Sequence, residues 1–161
     1  MDLTQTIDTE NMLVLIAEDD IITMQLLQTF LKKEKINFIS SENGLAALAT
    51  AKERVPDLIL LDVMMPELDG YEVCRKLKEC PLLQNIPVIF LTAQTDIANK
   101  IKGFEVGGVD YITKPFERLE VLARIKTQLR LKKALDKLSD YNIWLEKIIK
   151  RIDETEPEFS N

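Results

Sequence analysis

Five short apolar runs punctuate the first two-thirds of the chain, and each is followed by residues that repeat at helical spacing. The runs are Leu13–Ala17, Ile36–Ile39, Asp57–Leu61, Val88–Leu91 and Val109–Ile112. Short runs that are apolar throughout and bounded by turn signals read as strands buried on both faces. Between them, Ile22, Leu26, Leu27, Phe30 and Leu31 mark a first helix, with lysines at its far end, where the helix dipole favours cations. Leu45, Leu48 and Ala49 mark a second, alanine-rich helix after Asn43-Gly44, and Tyr71–Lys78 a third. Ile97, Ile101 and Phe104 suggest a fourth, closed by Gly107-Gly108. From Phe116 the pattern stays helical to about Ile152. Such alternation predicts an α/β fold, a doubly wound parallel sheet of five strands with helices on both faces and right-handed crossovers. Every strand then ends at the same edge of the sheet.

The length of 161 residues allows one domain plus an extension. A hydrophobic share of 46% and a charged share of 30% belong to a soluble globular chain. No apolar run approaches the roughly 18 residues that span a bilayer. Met1–Met12 is polar and acidic, unlike a signal or transit peptide. A cytoplasmic protein without membrane association is therefore expected. Cys74 and Cys80 form neither a disulfide framework nor a zinc pattern, and reduced thiols are expected.

The sequence holds no histidine, which excludes a histidine nucleophile, base or metal ligand on this chain. Chemistry here has to run on carboxylates, hydroxyls and lysine. The net charge of −6 is uneven: residues 1–116 carry 11 basic and 18 acidic groups, residues 117–151 carry ten and five, and the end of the chain is acidic. A net acidic chain argues against direct nucleic-acid binding, and the basic stretch reads as a solvated helix face.

Asp62 stands at the carboxyl end of the third run, where a parallel sheet opens to solvent and such folds place their chemistry. Alone, it reads as well as a loop aspartate. Glu18, Asp19 and Asp20 after the first run read alone as a helix cap with acidic neighbours. Thr92 alone is a turn residue, and Lys114-Pro115 alone a loop. Jointly, at the ends of strands one, three, four and five, they converge. Carboxylates a few ångströms apart repel one another unless a cation is present, and Mg²⁺ suits a set of hard oxygen ligands. A carboxylate beside such an ion can attack a phosphoryl group, with Lys114 and Thr92 supplying charge and a donor to the transferring oxygens.

The motifs are Glu18-Asp19, Leu60-Leu61-Asp62-Val63-Met64-Met65-Pro66-Glu67-Leu68-Asp69-Gly70, Leu91-Thr92-Ala93 and Asp110-Tyr111-Ile112-Thr113-Lys114-Pro115-Phe116. With separations of 30 from Asp62 to Thr92 and 22 on to Lys114, the chain resembles the receiver domain of two-component response regulators over residues 12–130. The resemblance implies a flavodoxin-like (βα)5 sheet in the order 2-1-3-4-5. It implies that Asp62 accepts a phosphoryl group from a partner histidine kinase or histidine phosphotransfer protein, and that the chain is a signalling phosphoacceptor rather than an enzyme. Glu18, Asp19, Asp62 and the main-chain carbonyl of Met64 would hold Mg²⁺, or Mn²⁺ in its place. Asp20 would be the spare acid or the helix cap. Thr92 and Lys114 would contact the phosphoryl oxygens, with Ala93 and Pro115 supporting them, and Lys114-Pro115 would be cis. Tyr111 matches the aromatic switch residue, while Met64 and Gln94 fall where side chains tune dephosphorylation. The face built by helix 4, strand 5 and helix 5 would carry the signal to a downstream effector protein or domain.

The last helix runs past the receiver's expected end. Leu135, Leu138, Asn142, Leu145, Ile149 and Ile152 fit a heptad seam with Asn142 at an a position. The expected division is a flexible leader over 1–11, the receiver over 12–130, a coiled-coil extension over 131–152 that forms a homodimer, and a disordered acidic tail over 153–161. Alternatives are a receiver serving as a dimerisation scaffold, or the amino-terminal part of a larger diguanylate cyclase or hybrid kinase. An aspartate-nucleophile phosphatase would want a second aspartate where Met64 stands, and a nucleotide-binding domain would want a glycine-rich phosphate loop that this sequence lacks.

Overall fold

The structure, a computed structural model, describes residues 10–93 and 97–155. Five parallel strands, β1 (Leu13–Ala17), β2 (Asn37–Ser41), β3 (Leu58–Asp62), β4 (Val88–Thr92) and β5 (Asp110–Thr113), form one sheet in the order β2-β1-β3-β4-β5. Five helices alternate with them: α1 (Ile21–Lys33), α2 (Gly44–Arg54), α3 (Gly70–Glu79), α4 (Ile97–Glu105) and α5 (Arg118–Thr155). The expected architecture and strand order are the observed ones. Of the flexible leader expected over 1–11, residues 1–9 lie outside the described residues, as does Gln94. Of the tail expected over 153–161, residues 156–161 do too.

The period-2 pleat divides the core into two layers. Val14, Ile16, Leu58, Leu60, Ile89, Leu91 and Ile112 face one way and pack against Leu27 and Leu31 of α1 and Val121, Ile125 and Leu129 of α5. Their neighbours Leu15, Ala17, Ile59, Leu61, Val88 and Phe90 face the other way, against Ala47 and Ala51 of α2 and Val73 and Leu77 of α3. Because β3 and β4 are buried on both faces, their sequences are apolar throughout until the last residue. That last residue is Asp62 in β3 and Thr92 in β4, so polar side chains enter where the hydrophobic layers stop.

The helix faces differ from the expected ones. In α1 the buried residues are Met24, Leu27, Phe30 and Leu31, and Ile22 is turned to solvent. In α2 the sheet side is made of Gly44, Ala47 and Ala51 while Leu45 is exposed, since small side chains let this helix lie close on β1 and β2. In α4 the expected apolar face of Ile97, Ile101 and Phe104 is outside, and Gly103 is the buried residue. The rings of Phe90 and Tyr111 fill the space beneath that helix.

Helix α5 is anchored at its start and free at its end. Arg124 makes two 2.8 Å hydrogen bonds to the carboxylate of Asp110, and Glu34, which caps the end of α1, accepts from both Arg118 and Lys126. Past Leu129 no hydrophobic residue of α5 is buried: Leu131, Leu135, Leu138, Tyr141, Trp144, Ile149 and Ile152 are all exposed. The helix continues through Thr155, three residues past the expected end at Ile152 and into the stretch expected to be disordered.

Candidate functional site

The carboxyl edge of the sheet is built by backbone bonds that carry the ladders one residue further. Ala17 pairs with Ser41 and Leu61, Asp62 with Leu91, and Thr92 with Thr113. Beyond those pairs Glu18 N–H donates to Ser41 O at 3.1 Å, Val63 N–H to Leu91 O at 3.0 Å, and Lys114 N–H to Thr92 O at 2.8 Å. Glu18, Asp62, Thr92 and Lys114 therefore project from a rigid platform. The loop after β3 folds back over it. Gly70 N–H donates to Val63 O at 3.0 Å, and a Cβ at Gly70 would collide with the Asp62 carbonyl oxygen. Only glycine permits that approach.

Glu18, Asp62 and Thr92 are buried, with relative exposures of 1%, 2% and 1%. Asp19 is exposed at the rim, and one carboxylate oxygen from each of Glu18, Asp19 and Asp62 falls within 4.8 Å of the others. Lys114 Nζ lies 2.9 Å from Glu18 Oε2 and 3.4 Å from Asp62 Oδ1. Asp62 Oδ1 also accepts from Met64 N–H at 3.2 Å, and Glu18 Oε1 from Asp20 N–H at 3.1 Å. Glu18 Oε2 is fully buried, and the ion pair with Lys114 compensates it without a hydrogen bond of good geometry. Two buried carboxylates thus share one ammonium, and the pocket is short of positive charge.

That shortage shows in protonation. Burial first, then the hydrogen bond and repulsion from Glu18, push the Asp62 carboxyl up to about 8 against the pull of Lys114 and the Met64 amide. Lys114 loses from burial but gains more from Glu18 and Asp62, so its ammonium is held above the usual lysine range. Three carboxylates with an undercompensated buried oxygen fit a hard divalent cation.

The other expected site residues are placed as follows. Asp20 caps α1: its Oδ2 accepts from Thr23 N–H at 2.8 Å and from the Thr23 hydroxyl at 2.6 Å, which lowers its pKa. Its side chain is thus committed to the helix, outside the carboxylate cluster. Met64 and Ala93 are exposed at the rim. The Lys114-Pro115 peptide is cis. Tyr111 is buried beside β4, 5.4 Å ring to ring from both Phe90 and Phe104, and its hydroxyl donates to Asn99 O of α4 at 2.7 Å. Burial, and after it the Tyr71 hydroxyl, holds the Tyr111 phenol above the usual tyrosine range. Tyr71 and Gly103 are both part of this seat, whereas sequence spacing places Tyr71 only at the start of the third helix and gives Gly103 no role. A glycine inside the short apolar-striped segment of Ile97, Ile101 and Phe104 was the available signal.

Comparison with known proteins agrees with this geometry. The model of the response regulator receiver domain matches residues 14–126. Response regulator PleD of Caulobacter vibrioides is 39% identical over 125 residues, which are 78% of this chain and 28% of PleD. Transcriptional regulatory protein ResD of Bacillus subtilis is 44% identical over 117 residues, 73% of this chain and 48% of ResD. The chain thus spans half or less of the length of these relatives. Among solved structures, the receiver domain of a Francisella response regulator superposes with a TM-score of 0.70 at 34% identity, covering 74% of this chain and 98% of that one. The receiver domain of a Pseudomonas aeruginosa sensor histidine kinase, solved with a magnesium ion coordinated in its active site cleft, gives 0.69 at 25% identity, covering 73% and 97%. With this sheet order, this acidic pocket and this lysine, the chain belongs to the response regulator receiver domain family of two-component signalling phosphoacceptors.

Proposed function

We propose that Asp62 is the phosphoacceptor of a receiver module and that its charge state controls the face made by α4, β5 and α5. The observation that carries this reading is the convergence of the Asp62 carboxylate with Glu18, Asp19 and Lys114 in one pocket. A carboxylate oxygen of Asp62 attacks the phosphorus of a phosphohistidine on a partner histidine kinase or phosphotransfer protein. The new O–P bond forms as the N–P bond breaks, and the partner's imidazole leaves. Glu18, Asp19, Asp62 and the Met64 carbonyl would hold Mg²⁺, which, when bound, neutralises charge on the transferring oxygens. Mn²⁺ suits the same hard ligands. Lys114 supplies a second cation and the Thr92 hydroxyl a donor. The exposed thioether of Met64 cannot orient a water for attack, so the acyl phosphate hydrolyses slowly.

Phosphorylation adds nearly two negative charges beside Lys114 and Thr92. Their backbones are joined at the β4–β5 edge, and Tyr111, three residues before Lys114, is bonded to α4. This supports Tyr111 as the link from pocket to surface. The surface it reaches presents Ile97, Ile101, Phe104 and Leu119 to solvent, a patch fit for a downstream effector.

The receiver ends near residue 130 in this reading, and α5 beyond it pairs with a second copy. Leu138, Leu145 and Ile152 stand at d positions, and Leu135, Asn142 and Ile149 at a, on an unbroken helix where all of them but the half-buried Leu145 are exposed. A polar a-position side chain pairs with its own copy in a parallel dimer. Among the described residues no helix is long and apolar enough to cross a membrane, and membership of the receiver family is what supports action in the cytoplasm. Labelling with phosphoramidate, an N–P donor, followed by borohydride reduction and peptide mass spectrometry, tests the acceptor. Homoserine at position 62 is expected, and a reduced residue elsewhere would refute the assignment.

A further inference from the structure

Glycine is among the least favourable residues inside a helix, and α4 holds one in its last turn. Gly103 is the buried residue of that nine-residue helix, whereas Ile97, Ile101 and Phe104 face solvent. A Cβ at Gly103 would land on the Tyr111 hydroxyl oxygen, 2.6 Å from Tyr111 Cζ and 3.1 Å from Phe90 Cδ2. The obstacle is not a flexible chain end. The Tyr111 ring is held between Phe90 and Phe104, and its hydroxyl is tied to the α4 carbonyls of Asn99 at 2.7 Å and Lys100 at 3.2 Å. Tyr71 of α3 donates to the same Asn99 oxygen at 3.1 Å, so three elements meet at one carbonyl.

We infer that Gly103 is a positioning residue for the switch: the side chain it lacks is the space that seats Tyr111 inward and clasps α4 to β5. With that space filled, Tyr111 has to swing out to solvent or α4 has to lift from the sheet. Either movement alters the surface proposed to meet the effector. The consequence for signalling rests on the reading of Tyr111 as the link from pocket to surface; the seat itself is a matter of packing.

Two measurements on the full, unphosphorylated chain decide it. The first is relaxation of ¹³C-labelled tyrosine NMR signals by a soluble nitroxide, with Tyr111 assigned by Tyr111→Phe. In the native chain the Tyr111 signal should be protected, and in Gly103→Ala it should relax several-fold faster, as an exposed tyrosine does. The second is the unfolding midpoint of Gly103→Ala in two backgrounds. It should fall in the native background, where the methyl meets the phenol, and rise in Tyr111→Ala, where the lost ring leaves Phe90 room to shift from the methyl and alanine's better helix propensity prevails. A Tyr111 as protected in Gly103→Ala as in the native chain would overturn the inference. So would a shift of the same sign in both backgrounds. A failure of Asp62 to take up phosphate would remove the functional reading, yet both measurements would still decide the seat.

Discussion

At the level of single residues the site is governed by a charge imbalance. Asp62 is buried beside Glu18, and Lys114 supplies the shared cation. Its folded pKa of about 8 stands above the ordinary carboxylate value, so between about 4 and 8 the folded chain binds more protons than the unfolded one. The sign is then fixed: without divalent cations this contribution is complete below about pH 4 and is lost as pH rises through 8. The thermal midpoint of the metal-free chain, followed across that range, should fall relative to Asp62→Asn, and added Mg²⁺ should close the gap at pH 8. Lys114→Met leaves two buried carboxylates without their ammonium. It should cost roughly 1–3 kcal/mol in urea unfolding, the penalty of stranding a buried polar group, with part of the loss recovered in Mg²⁺. Equal stability with and without the lysine at pH 8 would contradict the shared-cation account.

At the level of elements, the sheet was plain in the sequence and the helix faces were not. β3 and β4 are buried on both sides, so Leu58–Leu61 and Val88–Leu91 stand out as unbroken apolar runs. β2 lies at the sheet edge and ends in Ser40 and Ser41, so its apolar run of Ile36–Ile39 understates it. α2 packs through Ala47 and Ala51, and α4 through Gly103, because close approach selects small residues that a search for large apolar ones ignores. The pocket was legible for a different reason: in a parallel sheet all strands end at one edge, so Glu18, Asp62, Thr92 and Lys114 had to converge. The seat of Tyr111 depends on side-chain packing across α3, β4 and α4, which spacing does not reveal. The unbroken helical pattern after Phe116 matches the continuous α5, whose exposed half yields a prediction. Light scattering should give twice the chain mass for the full protein and the chain mass once residues 131–161 are removed. Asn142→Leu should raise the unfolding midpoint while admitting higher oligomers, as loss of a polar a-position residue does. A full-length monomer would rule out the seam as a dimer contact.

At the level of the whole molecule, two functions are laid out along one direction of the chain. The carboxyl edge of the sheet gathers the acidic pocket, while α5 leaves the domain beside the surface proposed to carry the signal. Arg118 and Lys126 bind the start of α5 to Glu34 at the end of α1, and Arg124 binds it to Asp110 of β5, contacts that in the proposed reading would carry a shift of β5 to the helix. PleD and ResD extend well past the length of this chain, and the basic, exposed half of α5 is where an output would be joined or a second copy met. All of this depends on Asp62 carrying a phosphoryl group. The most direct test is intact-mass measurement of the full chain after incubation with Mg²⁺ and acetyl phosphate. The account predicts a gain of one phosphoryl group that is stable in acid, removed by hydroxylamine, and absent from Asp62→Asn and from samples treated with chelator. No gain in the native chain, or an equal gain in Asp62→Asn, would contradict it.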